Sequence, residues 1–139
     1  MIREAWDGKA KGASLESEWG EQFDAYRAAH SDLADELLRR LAGALPRDFS
    51  QQVDAYIDEC VVTGADIASR KASQQALNAL GPYLPELLGG SADLAGSNLT
   101  LWSGASGISA EDASGNYVYY GVREFAMAAI MNGVALHGG

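Results

Sequence analysis

Apolar side chains at Trp19, Phe23 and Tyr26 fall four and three positions apart, the spacing that lines one face of a helix, and they predict a helix over about 15–29. Ser31 followed by Leu33, Leu37, Leu38 and Leu41 reads as an N-cap and an amphipathic helix, halted by Gly43 and Pro46. Ser50 opens another short helix carrying Val53, Tyr56 and Ile57. The stretch ASRKASQQALNAL then sets Ala72, Ala76, Leu77 and Leu80 on one helical stripe, which Gly81-Pro82 terminates. The polar positions between these stripes read as solvated helix faces.

Beyond residue 86 the period changes. Leu87 and Leu88 run into Gly89, Gly90, Ser91, Ala92 and Asp93, a short apolar run ending in glycines and a carboxylate, which is how a buried parallel strand enters a functional loop. Residues 103–116 read as a loop. Residues 117–120 are aromatic and β-branched enough for a second strand, and Gly121 precedes a helix of small residues over about 123–134. Strand, loop, strand, helix is the opening of an α/β layer architecture, here helix-dominated. Two strands make a poor sheet without further partners, so the chain is expected to be a piece of something larger.

Charge divides the chain. Residues 1–70 hold 22 of the 29 charged side chains, and the net charge of the 139 residues is −9. With no run of Lys or Arg longer than Arg39-Arg40, no electrostatic footprint for nucleic acid or anionic lipid is present. No apolar stretch has the length of a membrane span, and the opening MIREAWDGKAKG lacks the apolar run of a secretory signal, so a cytoplasmic protein is expected. A single cysteine excludes an internal disulfide, and Cys60 reads as a small buried hydrophobe. His30 and His137 lie too far apart in sequence, with that one cysteine, for a Cys/His zinc site, and no metal-ligating residue is assigned.

Glu124 is the acid that stands out, alone between Asp112 and the C-terminus, at the first turn of a helix otherwise built for burial. Two readings of it are open: a helix-start carboxylate stabilised by the macrodipole, or a carboxyl in a low-dielectric cleft, its pKa raised, exchanging a proton with a bound heterocycle. Arg123 beside it reads as a surface or ion-pair residue. Gly90 to Asn98 could cradle an anion or simply turn tightly, and Arg70 and Lys71 could hold a phosphate or face solvent.

Three long motifs in order, ASRKASQQAL, LLGGSADLAGSNLTLW and GNYVYYGVREFAMAAIMNGVALHGG, resemble the opening of the pyrimidine-binding domain of the transketolase family. Residues 1–66, with their IREAWD opening, resemble the family's helical segment between the diphosphate-binding and pyrimidine-binding domains. The resemblance implies a division at 66/67, with residues 67–139 the N-terminal, incomplete part of a parallel-sheet pyrimidine-binding domain. It implies a thiamin-diphosphate enzyme of the pentose phosphate pathway, which moves a two-carbon ketol unit from a ketose phosphate to an aldose phosphate through the cofactor's ylid. Glu124 falls on the family's cofactor-activating glutamate, which hydrogen-bonds an aminopyrimidine ring nitrogen and favours the imino tautomer that takes the thiazolium proton. Asp93 matches an aspartate at the cofactor cleft. Arg70 and Ser97 match the pair that binds the substrate's terminal phosphate.

Tyr119 stands where many relatives have histidine, and Gly96 where proline is common; neither position is among the residues carried over. No GDG followed by asparagine occurs, so the module that holds magnesium and the diphosphate is expected outside this chain. Neither histidine falls on the family's substrate histidines. Because the family's site forms between two subunits, the implied partners are the remaining transketolase domains, a second subunit of a homodimer and sugar phosphates. The isolated chain is expected to be inactive. Two rival readings are a relative such as dihydroxyacetone synthase or deoxyxylulose-phosphate synthase, and a non-enzymatic interaction module that reuses the segment.

Overall fold

The computed structural model describes residues 6–138; Met1 to Ala5, with most of the IREAWD opening, and Gly139 lie outside the described residues. The chain forms two compact units, Met1–Leu41 and Ala42–Gly139.

The first unit is a pair of packed helices, α1 (Lys9–Ala29) and α2 (Ser31–Leu41). The expected stripe on α1 is a ladder of rings. Trp19 and Phe23 stack with centroids 5.0 Å apart, Phe23 leads to Tyr26 at 6.5 Å, and Tyr26 to His30 at 5.1 Å. The helix starts about two turns earlier than the ring spacing predicts, because alanine and lysine in KAKGAS sustain a helix without an apolar face. Ser31 is not the expected N-cap. It is the first residue of α2, its hydroxyl donating to Asp32 at 3.3 Å. The join is a single residue, His30, whose N–H closes α1 on the Tyr26 carbonyl (2.8 Å) and whose carbonyl accepts Ala34 N–H (3.0 Å), the first bond of α2, so His30 and not Ser31 holds the cap position. Ala34 is fully buried, and Arg27 pairs with Asp35 at 2.8 Å across the two helices.

Glu36 sits between two guanidinium groups, accepting from Arg39 at 2.7 Å and from Arg40 at 2.8 Å, one turn away on the same helix. Hydrogen bonds from Arg39 and then Arg40 hold its carboxyl down at about 2, from an ordinary 4.5. A carboxyl depressed on folding stabilises the fold at pH values above its unfolded pKa, and that contribution is lost as pH falls from about 4.5 through 2. The wild-type melting temperature should therefore exceed that of Glu36→Gln at pH 6, and the gap should close towards pH 2. A gap that does not change with pH would remove this linkage.

The second unit contains α3 (Phe49–Thr63), α4 (Ser69–Leu80), a 3-10 turn (Gly81–Tyr83), β1 (Gly89–Ser91), the single-turn α5 (Ala95–Asn98), β2 (Tyr117–Tyr119) and α6 (Glu124–His137). The sheet is parallel, with Gly89, Gly90 and Ser91 opposite Tyr117, Val118 and Tyr119. The expected helix-dominated α/β architecture is present. The strand is narrower than the apolar run of Leu87 and Leu88 suggests, since pairing begins only at the glycines. A Cβ on Gly90 would lie 2.4 Å from the Tyr120 ring and 2.7 Å from the Val118 carbonyl, so the pairing at this register requires glycine.

The core gathers around Tyr117, which is 1% exposed, with Ala92, Trp102 and Ser91 also buried. The Tyr117 hydroxyl meets Thr100 Oγ1 at 2.7 Å. Helix α4 ties the following segment to this core: Gln74 Nε2 donates to the Leu101 carbonyl (2.9 Å) and Asn78 Oδ1 accepts Ser103 N–H (2.8 Å). Residues 103–116 form a loop as expected. Asn116 pins it, Oδ1 accepting Ser106 N–H at 2.8 Å and Nδ2 donating to the Gly104 carbonyl at 3.1 Å.

Cys60 is exposed, contrary to the expectation that it is buried. It lies one turn after Tyr56 on α3 and lines a groove of about 510 Å³ with Ala72, Gln75 and Ala79 of α4, so the helix pair leaves it open. Its hydrogen bond with Tyr56 pushes that phenol above its ordinary value. Among the described residues, no helix is long and apolar enough to cross a membrane.

Candidate functional site

In parallel sheets, ligands collect outside the carboxyl ends of the strands, where the backbone leaves the ladder and turns into loops. Both strands here deliver polar groups to that edge. Beyond β1, the buried Ser91 hydroxyl accepts Leu94 N–H at 3.2 Å, and the chain between them is bent so sharply that Asp93 takes a left-handed conformation (φ +62°). Aspartate is among the few side chains that tolerate this region. Beyond β2, Gly121 has φ +63°, and Arg123 N–H donates back to its carbonyl at 2.8 Å. The chain then enters α6 at Glu124.

These two turns border one pocket of about 380 Å³, lined by Ser91, Asp93, Ala95, Gly96, Tyr119, Gly121 and Arg123. Asp93 and Arg123 thus share a concavity that their distance in sequence hides. Arg123, read from sequence as a surface or ion-pair residue, is exposed, and its Nη1 donates to the Tyr120 carbonyl at 2.7 Å. Glu124 follows directly, in the first turn of α6, where the helix dipole favours a negative charge. It is exposed, so the described residues do not supply the dry cleft that the proton-exchange reading of the sequence requires.

Arg70, in the first turn of α4, reaches across to α5, where Nη1 lies 3.5 Å from the Ser97 carbonyl, the outer limit of a hydrogen bond. Both residues are exposed. The structure therefore brings together the two residues assigned to a phosphate, 27 positions apart. Lys71 instead donates to Gln74 at 2.9 Å. His137 closes the last turn of α6, away in sequence from every other candidate. Sequence reasoning counted Ser91 within the 90–98 stretch but gave it no role of its own; its buried hydroxyl shapes the Asp93 turn, and its only signal is a serine directly after a glycine pair.

The pocket offers a carboxylate on a fixed turn and a guanidinium among glycine and alanine, with the Glu124 carboxylate next to it in sequence at the helix start, so it can both accept from and donate to a polar ligand. Among the described residues, no three of His, Cys, Asp or Glu gather as a metal set. The family profile described as "Transketolase, pyrimidine binding domain" matches residues 65–139.

The chain belongs to the transketolase family.

Transketolase 2 of Aliivibrio fischeri is 57% identical over 134 residues, covering 96% of this chain and 20% of that protein. Transketolase 2 of Escherichia coli is 55% identical over 138 residues, covering 99% of this chain and 20% of its own length. The chain therefore spans about a fifth of the transketolases it matches. The crystal structure of Pichia stipitis transketolase in complex with sedoheptulose-7-phosphate superposes with a TM-score of 0.76 at 38% identity, over 93% of this chain and 19% of that one. Transketolase from Leishmania mexicana gives 0.73 at 32% identity, over 92% and 18%. The two-stranded parallel sheet and its helices thus share the fold of the corresponding part of these transketolases.

Proposed function

We propose that this chain works as part of a transketolase, transferring a two-carbon ketol unit from a ketose phosphate to an aldose phosphate in the pentose phosphate pathway. On this reading, residues 1–66 link the diphosphate-binding and pyrimidine-binding domains, and residues 67–139 open the latter. The observation that carries the reading is the meeting of the Asp93 turn and the Gly121 to Glu124 turn at the carboxyl ends of paired parallel strands. Glu124 would hold the aminopyrimidine of thiamin diphosphate at a ring nitrogen and share a proton there, with Asp93 facing the same cleft. When bound, the cofactor supplies the carbon nucleophile that carries the ketol unit.

The exposure of Glu124 gives the rest of the assembly a task. A carboxyl that is to hold a proton near neutral pH must be dried by groups outside this chain, which suits a site closed by further domains and the second subunit of a homodimer. Magnesium and the diphosphate would be held by those domains. The assembled enzyme is proposed to be cytoplasmic, and the isolated chain to be inactive.

The test is a segment exchange: this chain replaces the 138 matching residues of E. coli transketolase 2, and the purified, cofactor-loaded protein is assayed for ketol transfer. Transfer by the assembled enzyme and none by the isolated chain is the expected result. A folded, loaded and inactive assembly would overturn the reading.

Arg70 and Ser97 would hold the terminal phosphate, a guanidinium and a hydroxyl on an anion. In the assembled enzyme, Arg70→Ala should raise KM for phosphorylated substrates by about 10-fold and leave kcat nearly unchanged, as expected when a charged hydrogen bond present in both ground and transition states is lost. An unchanged KM would refute the phosphate role.

A further inference from the structure

We propose that Arg123 is a positioning residue for Glu124, acting through the turn that joins β2 to α6; the inference rests on the placement of Glu124 at the cofactor. Its side chain folds back three residues, where Nη1 donates to the Tyr120 carbonyl at 2.7 Å. Tyr120 is itself the last residue tied to the sheet, its N–H donating to Ser91 at 3.1 Å. The Arg123 backbone binds on both sides as well, its N–H to the Gly121 carbonyl (2.8 Å) and its carbonyl to Met127 N–H (2.9 Å) in the first turn of α6. One residue thus fastens the end of the sheet to the start of the helix.

Two further features make this a clamp rather than a passing surface contact. Helix α6 has no side-chain cap at its N-terminus, so no capping bond fixes the direction in which its first residue leaves the turn. Gly121 sits beneath the guanidinium in a left-handed conformation, and a Cβ there would lie 2.8 Å from Nη1. The planar, permanently charged guanidinium makes a stronger bond to a carbonyl than a neutral donor would. Glu124 is the next residue in the chain, so slack in this turn passes directly to the carboxyl, and a displacement of about 1 Å at a reacting group can cost on the order of 100-fold in rate.

The test uses the assembled enzyme defined above with Arg123→Met, which keeps the stem and removes the donor, Arg123→Lys, which keeps a donor, and Gly121→Ala. Glu124→Gln runs alongside as the reference. Arg123→Met should lower kcat by roughly 10-fold with KM values and cofactor affinity within about 2-fold, and Arg123→Lys should recover most of the loss. Gly121→Ala should also lower kcat, since the added methyl strains the left-handed turn and crowds Nη1 at once. In the cofactor-free protein, amide exchange over residues 120–125 should be faster in Arg123→Met than in wild type. Unchanged kcat in Arg123→Met while Glu124→Gln loses activity overturns the inference and leaves the reading of Glu124 standing. Raised KM or weakened cofactor binding at unchanged kcat also overturns it, because Arg123 would then be a binding group. Full activity in Glu124→Gln sinks the reading of Glu124, and the inference with it.

Discussion

In the assembled enzyme, Glu124→Gln is expected to lower kcat by about 100-fold or more, the usual loss when a group that exchanges a proton in the reaction is replaced by one that cannot. Glutamine matches glutamate in size and still hydrogen-bonds, so binding should survive, with KM for both sugars within about 3-fold of wild type. Packing should survive as well. Glutamine fills the same space, so the main stability term lost is the attraction of the carboxylate to the start of α6, about 0.3–1 kcal/mol. Steady-state kinetics beside a thermal melt separate these effects: a fall in kcat of about 100-fold with only a small shift in melting temperature assigns the loss to chemistry. Wild-type turnover in the variant would leave Glu124 with only the helix-dipole role.

The second large effect falls on the core. Tyr117→Ala should cost about 3–5 kcal/mol, the range for removing a buried aromatic ring, because Tyr117 is 1% exposed at the start of β2 and its hydroxyl ties that strand to Thr100. Tyr117→Phe keeps the ring, removes the 2.7 Å bond to Thr100 and should cost about 1 kcal/mol. Urea denaturation of wild type and both variants gives the comparison. If Tyr117→Ala moves the midpoint no further than Tyr117→Phe, the ring is not what holds the sheet.

Periodicity made the helices readable because a stripe is a local property. Trp19, Phe23 and Tyr26 announce a face by spacing alone, and their rings stack along it. Parallel pairing was readable in kind but not in extent. Which residue of GGS can tolerate Tyr120 overhead depends on a neighbour far along the chain. The approach of Arg70 to Ser97 was invisible to spacing for the same reason and came only from resemblance. Burial was the least legible property. The sequence of α6 reads as a helix built for burial, yet Phe125 is 90% and Leu136 88% exposed, and the gap of about 420 Å³ beside Leu77, Trp102 and Met131 remains open. Cys60 was misjudged in the same way: hydrophobicity records a preference for burial and does not name the surface that provides it.

The pairing of β1 with β2 across residues 92–116 also sets an order of events. Helices α1 and α2 can form and meet through contacts between near neighbours in sequence, whereas the sheet must first bear the entropy of closing a long loop. Both turns that border the candidate pocket are fastened to that sheet, the Asp93 turn through Ser91 and the Glu124 turn through Tyr120. Each turn is held by a local bond, but the pocket between them exists only once the two strands have paired. Anything that delays loop closure delays the site while leaving most of the helical signal in place.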